Sequence, residues 1–427
     1  MARKPKFQTP TGMHDILPKD QAYFRKIYNV VENIANFYGF GKIDTPILEQ
    51  SELFSKGVGL DTDIVQKEMF NLKTKGGDHL SLRPEGTAPV VRAYMQKGMI
   101  NLPQPVKLWY FGPFFRYEKP QAGRFRQFWQ FGLEILGEKG PVIDAQIIQI
   151  FYNILKDLRL KNLLVEINSI GDSQCRPYYK KLLKNYLRSR ERLLCTDCQR
   201  RLKTNPLRIL DCKRERCQSI VSQAPQSIDN LCDTCHEHFK EVLEFLDEAE
   251  ISYRLNPYLV RGLDYYTKTV FEIVEDSAEG KALGALIGGG RYDNLSKILG
   301  RRDIPGTGGA AGIERIITSM KETGGIVSRV TLPKIFLSQV GKLAKRKSLK
   351  LCEEFRKAKI SITESFGRDS LRAQLARANK LGVLYTLILG HKEAIDGTII
   401  VRNMKTGKQK TVKMDKVVKE MKKNLKK

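Results

Sequence analysis

A chain of 427 residues with 41% hydrophobic content can bury two or three cores at roughly 100 to 200 residues per domain. Its formal charge of +27 calls for a polyanionic partner or reflects a basic host proteome, and it says nothing about fold. No run approaches the roughly 18 apolar residues of a membrane-spanning helix, and the start MARKPKFQTP lacks an apolar signal core; the expectation is a cytoplasmic protein with no membrane partner.

In chain order, residues 21 to 38 (QAYFRKIYNVVENIANFY) place apolar side chains at helical spacing, Gly39 and Gly41 stop that helix, and IDTPIL with Pro46 continues as extended chain. VKLWYFGPFFRYE and QFWQFGLEILG predict two antiparallel strands joined by a basic loop containing Pro120 and Gly123. Residues 142 to 158 return to helical period, and LLVEINSI reads as a strand. From about 172 to 245 the texture is basic, cysteine-bearing and helix-rich, which predicts an insertion. Strands resume at YLVRGLDYYTKTVFEIVE, glycine-rich ALIGGGRYDNL and GTGGAAGIERIITSM follow, and ETGGIVSRVTLP (322 to 333) predicts a linker. The order is α+β, without a repeating βαβ unit.

Beyond the linker, KIFLSQV, ISITES and VLYTLIL alternate with helical stretches around 342 to 358 and 370 to 381, giving a compact α/β domain. Residues 333 to 427 hold 25 Lys plus Arg against 8 Asp plus Glu, a surplus of 17 positive charges. Such a surplus suits nucleic-acid phosphates or a solvated lysine-rich face, and both readings stay open. The expected division is a catalytic domain over 1–325, with 172–245 inserted in it, and a second domain over 333–427.

The stretch FFRYEKPQAGRFRQFWQFGLEILG (114 to 137) carries Arg116 and Glu118, a loop with Arg124 and Arg126, then Gln130 and Glu134 on the return strand. This offers a guanidinium fork for phosphate beside a carboxylate. It resembles motif 2 of the class II aminoacyl-tRNA synthetases. GTGGAAGIERI (306 to 316), a glycine-rich strand turning into a helix that presents Arg315, resembles motif 3. The segment ending at Pro46 resembles motif 1, commonly part of a dimer interface. LVRGLDYYTKTVFE (259 to 272) and GGGRYDNL (288 to 295) are similar to the two signature blocks of histidine–tRNA ligases, and LRPEGTAPVVRA (82 to 93) to that family's amino-acid-binding segment. On these blocks, in the family's usual order over essentially the whole chain, the sequence is identified as a member of that family.

The resemblance implies a class II antiparallel-sheet core with a C-terminal anticodon-binding domain, a homodimer, and two-step ligation of L-histidine to its tRNA. Histidyl-adenylate forms from ATP with Mg²⁺, and transfer to the 3′-terminal ribose then releases AMP. It implies Arg261 and Arg116 as catalytic, Arg116, Arg124 and Arg315 on ATP, and Gln121 on the tRNA acceptor end. It implies Glu85, Gly86, Thr87, Arg116, Gln130, Glu134, Arg261, Tyr265 and Tyr266 around histidine. Chemistry fits this set independently: an α-ammonium needs acceptors such as Glu85, Thr87 and Gln130, while an imidazole needs polar partners such as Glu134 and Tyr266. Tyr265 and Tyr266 are adjacent, and from one strand they cannot both face a pocket. A rival reading is an inactive paralogue such as the regulatory subunit of ATP phosphoribosyltransferase; the presence of Arg116, Arg261 and Arg315 and the basic C-terminal domain speak against it.

Six of the eight cysteines lie between Cys195 and Cys235, as Cys195-x2-Cys198, Cys212-x4-Cys217 and Cys232-x2-Cys235. The two CxxC knuckles, Cys195 with Cys198 and Cys232 with Cys235, have the spacing of one four-ligand structural zinc site, and plain buried thiols are the alternative.

Overall fold

A computed structural model of the chain describes residues 6–121, 123–276, 284–300, 302–323 and 333–426. It divides into two units, Met1–Val327 and Ser328–Lys427. The proposed linker falls largely on residues 324–332, which lie outside the described residues.

The first unit is built on an eight-stranded sheet in the order Gly41–Lys42, Val106–Phe115, Gln127–Leu136, Gly306–Gly312, Ile287–Arg291, Thr267–Glu275, Leu163–Ser169, Tyr253–Leu255. The six central strands pair antiparallel, and only the outermost pairings are parallel. Strand alternation sets the two faces. On the return strand, Phe131, Leu133 and Ile135 join the core beneath the helices, whereas Gln130, Gly132 and Glu134 turn to the opposite face, where the cleft lies.

The helical layer opens with Pro18–Phe37, whose first turn holds a proline that needs no intrahelical donor. Phe24, Ile27, Val31 and Ala35 recur at three- and four-residue spacing and form its buried stripe, each large side chain contributing roughly 1.5–3 kcal/mol of burial. This helix packs on Val142–Asp157 and Ile313–Glu322. The cysteine-bearing stretch is helical as expected, with Arg176–Arg188, Thr196–Thr204 and Glu215–Val221. Its last helix, Asp233–Glu248, is no appendage: Phe239, Val242 and Leu246 enter the main core against Val142–Asp157.

One expectation fails in a way that matters for the site. The stretch 258–275 is not strand throughout; residues 258–266 are irregular and the strand is Thr267–Glu275. The β-prone YLV and YYT segments are overridden because Arg208 and Arg176, from the helical stretch, take the backbone carbonyls of Arg261 and Tyr266 that a ladder would have used.

The second unit has a five-stranded sheet in the order Ile362–Glu364, Ile335–Gln339, Tyr385–Leu389, Thr398–Asn403, Gln409–Lys413, with helices Lys342–Lys357 and Leu371–Lys380 as crossovers. The hairpin Thr398–Asn403/Gln409–Lys413 and the closing helix Val417–Lys426 add to the elements expected from sequence. Among the described residues, no helix is long and apolar enough to cross a membrane.

A buried ion pair ties the sheet to the helices. Arg291, fully buried, donates to Asp144 at 2.8 and 3.0 Å and to the Glu138 and Gly140 carbonyls, and Asp144 also meets His238 Nε2 at 2.8 Å. Removing Asp144 would leave the buried guanidinium only Asp293, partly exposed and 3.1 Å away, as a counterion. Asp144→Ala should therefore lower the unfolding free energy by about 3 kcal/mol or more in urea titration, and a loss below about 1 kcal/mol would show the pair to be dispensable.

Candidate active site

The cleft lies over the centre of the sheet, on a floor from which side chains are missing. Gly288, Gly289 and Gly290 pair with Ala310, Gly309 and Gly308 on the neighbouring strand. A Cβ on Gly288 would stand 2.0 Å from Arg261 Nη2, and one on Gly308 would stand 1.8 Å from Glu134 Oε2. Gly86 and Gly132 enclose Tyr110 in the same way, at 2.3 and 2.2 Å from its ring.

Around this floor the structure gathers most of the residues singled out from sequence: Glu85, Gly86, Thr87, Arg116, Arg124, Gln130, Arg261, Tyr265, Tyr266 and Arg315 all line one cleft. Three guanidinium groups enter it from separate elements, each anchored at one edge. Arg116, at the end of the outgoing strand, donates its Nε to the Pro84 carbonyl at 2.9 Å and lies over the Phe128 ring. Arg261 pairs with Glu272. Arg315, on the helix after the glycine strand, donates to the Ala285 carbonyl at 2.8 Å. Burial and the positive charge of Arg124 both lower the pKa of Arg315, so the cleft holds mutually repelling cations poised for an anion. Arg124 itself meets Glu118 at 3.3 Å and is half exposed.

The acceptors sit opposite. Glu85 accepts from the backbone N–H groups of Thr87 and Ala88, at 2.7 and 2.9 Å, at the start of helix Thr87–Gln96. The Tyr265 hydroxyl donates to the same carboxylate at 3.2 Å, and burial raises the Glu85 pKa. Because residues 258–266 are not a strand, Tyr265 and Tyr266 both reach the lining, their rings tilted at 50° with centroids 4.7 Å apart. The one-face restriction expected for this pair is thus lifted. Among the described residues, three buried polar atoms at the cleft lack a hydrogen-bond partner: Gln130 Oε1, Tyr110 Oη and Arg261 Nε. Unsatisfied buried polar atoms converging on one cavity suit a small polar ligand.

Of the residues expected around histidine, Glu134 lies outside the lining, and so does Gln121, expected at the tRNA acceptor end. Glu134 is fully buried below it, accepting from Thr87 Oγ1 at 2.7 Å and Tyr292 Oη at 2.5 Å, with its pKa raised by burial to about 8. Gln121 is at the hairpin tip, bridging backbone to backbone with Arg124. Conversely, Tyr110, Glu272 and Glu314 line the cleft without having been singled out. Glu314 accepts the Trp129 backbone N–H at 2.9 Å, and burial raises it to about 7. Glu272 closes the block that begins at Leu259, and an acid on a strand in the same block as Arg261 was the available signal.

The cysteines are partitioned differently from the expectation. Cys195 and Cys198 group with Cys212 and Cys217, while Cys232 and Cys235 group with Asp172 and Cys175. The single set of Cys195, Cys198, Cys232 and Cys235 is not formed, because each knuckle opens its own helix and faces a different neighbouring segment.

An antiparallel sheet with arginines converging from a hairpin and from a glycine strand–helix turn defines a class II aminoacyl-tRNA synthetase catalytic domain. The family description Histidyl-tRNA synthetase matches residues 12–316, and the description Anticodon binding domain matches residues 334–424. A histidine–tRNA ligase of Dehalococcoides mccartyi is 45% identical, covering 98% of this chain and 100% of that one. One from Halothermothrix orenii is 43% identical, covering 97% and 99%. The apo crystal structure of the Staphylococcus aureus histidyl-tRNA synthetase superposes with a TM-score of 0.79 at 34% identity, covering 97% and 99%. The chain belongs to the histidyl-tRNA synthetase family.

The raised Glu134 pKa yields a signed test. An unfolded glutamate titrates near 4.5 and Glu134 near 8 when folded, so the folded state holds an extra proton between those values and loses stability as pH rises through them. Glu134→Gln removes this titration, and its melting temperature relative to wild type should climb steadily from about pH 5 to about pH 8. A constant offset would show that the carboxyl is charged in the folded protein.

Proposed function

We propose that the protein ligates L-histidine to histidine tRNA, first forming histidyl-adenylate from ATP and then passing the histidyl group to the 3′-terminal ribose with release of AMP. The observation that carries the reading is the convergence of Arg116, Arg261 and Arg315 on a cleft whose other wall holds Glu85, Thr87, Gln130 and the tyrosine pair. The α-ammonium is held by Glu85, Thr87 and Gln130, whose Oε1 is otherwise unpartnered. Tyr266 meets the imidazole, and Glu134 supports that end from beneath through Thr87. Gly86 lets the backbone run against Tyr110.

The substrate carboxylate attacks the α-phosphate in line, the bond to the β-phosphate breaks and pyrophosphate leaves, while negative charge grows on the phosphoryl oxygens. Arg116 and Arg261 face that charge, and Arg315 with Arg124 holds the outer phosphates. Their edges are already anchored, so little reorganisation accompanies the reaction. Mg²⁺ arriving with ATP would neutralise phosphate charge. Of the cleft carboxylates, Glu118 and Glu272 could hold such an ion, but both already face arginines, which fits a metal carried mainly by the nucleotide. Zinc would be structural and remote from this chemistry.

Gln121 at the hairpin tip is assigned to the tRNA acceptor end, and residues 333–427, with their surplus of 17 positive charges, to the anticodon arm. The same reading makes the protein a cytoplasmic homodimer.

ATP–pyrophosphate exchange measured with each amino acid should be driven best by histidine; better exchange with any other would refute the substrate assignment. Arg261→His should slow exchange about 10²-fold to 10³-fold while leaving histidine affinity nearly unchanged, because the charge acts mainly on the transition state. An unchanged rate in that variant would remove Arg261 from the chemistry.

A further inference from the structure

We propose that the helical stretch folds around two zinc ions, one bound by Cys195, Cys198, Cys212 and Cys217 and the other by Asp172, Cys175, Cys232 and Cys235. Within each set the ligand atoms all lie within 4.8 Å of one another. Thiolates about 2.3 Å from a tetrahedral zinc stand roughly 3.8 Å apart, and Cys195 Sγ and Cys212 Sγ are 4.0 Å apart. All four cysteines of the first set are buried, and all eight in the chain are free thiols. Four buried sulfurs facing one another fit a metal better than they fit core packing, and an all-sulfur tetrahedral set selects zinc or iron over harder ions.

The two sets share one design. Leu194-Cys195-x-x-Cys198 and Leu231-Cys232-x-x-Cys235 each place the first cysteine as the N-cap of a helix, at φ −72°, ψ 160° and φ −73°, ψ 160°. Each set also contains a backbone donor to sulfur: Cys195 N–H to Cys217 Sγ at 3.3 Å, and Asp172 N–H to Cys175 Sγ at 3.4 Å. Outer hydrogen bonds of this kind orient metal ligands.

The sites would hold the two ends of the segment that carries Arg261 and the tyrosine pair. Arg208, four residues before Cys212, donates to the Arg261 carbonyl at 3.1 Å and to Asp63 at 3.3 Å. Arg176, next to Cys175, donates to the Tyr266 carbonyl. Zinc would thus lock both arginines beneath the irregular stretch that took the place of a strand, whichever amino acid the cleft activates.

Metal analysis of the full-length protein, purified without added metal or chelator, should find two zinc ions per chain. Native thiol titration should reach only Cys352 rapidly until a mercurial releases the metal. Cys198→Ser and Cys235→Ser should each lose one equivalent and keep the other. Folded wild type with one equivalent or none, or with iron in place of zinc, overturns the proposal, and this measurement decides the matter even if a variant fails to fold. Wild type with one equivalent that both variants abolish would restore one shared site.

Discussion

The active cleft depends on the absence of side chains at the centre of the sheet. Glycines 288 and 308 occupy positions where any Cβ would collide with the side-chain ends of Arg261 and Glu134. A strand interior of glycines forfeits roughly 0.5–1 kcal/mol per residue relative to alanine. The opposite face of the same sheet supplies the offset, where Phe131, Leu133, Ile135 and Phe271 are buried under the helices and meet Phe151 of Val142–Asp157. One face is built for stability and the other for approach.

That flat floor lets charge be arranged above it with little freedom. Each arginine spends one edge on a fixed acceptor, the Pro84 carbonyl, Glu272 or the Ala285 carbonyl, and directs the rest inward. Burial raises the pKa of both Glu85 and Glu134, for Glu134 to about 8, so near neutral pH the Glu134 carboxyl adds little negative charge to cancel these cations. The outcome is a site with a net preference for anions at one end and acceptors for an ammonium at the other.

Legibility from sequence followed the range of the interactions. The arginine hairpin and the glycine strand–helix turn could be read because their spacing along the chain is their spacing in space: Arg116 and Gln130 ride on one hairpin, and Arg315 follows its strand directly. The helix stripe of Phe24, Ile27, Val31 and Ala35 was legible for the same reason. What could not be read was set by distant partners. Residues 258–266 look like a strand until Arg176 and Arg208 claim their carbonyls, and the cysteines divide according to which segments pack against each knuckle. Glu134 carries the composition of a ligand contact, yet Thr87 and Tyr292, 47 and 158 residues away, hold it below the floor.

The most direct test of the glycine floor is Gly288→Ala. The atoms its methyl would meet are the far end of the Arg261 side chain, which can swing aside, so the fold should survive. The measurement is histidine-dependent ATP–pyrophosphate exchange on the folded variant, with melting temperature and histidine binding recorded alongside. The account predicts near-native melting, retained histidine binding and exchange slowed about 10²-fold or more, as for loss of one preorganised charge. Exchange at the wild-type rate would contradict it, because the guanidinium could then do its work without the space that the missing side chain provides.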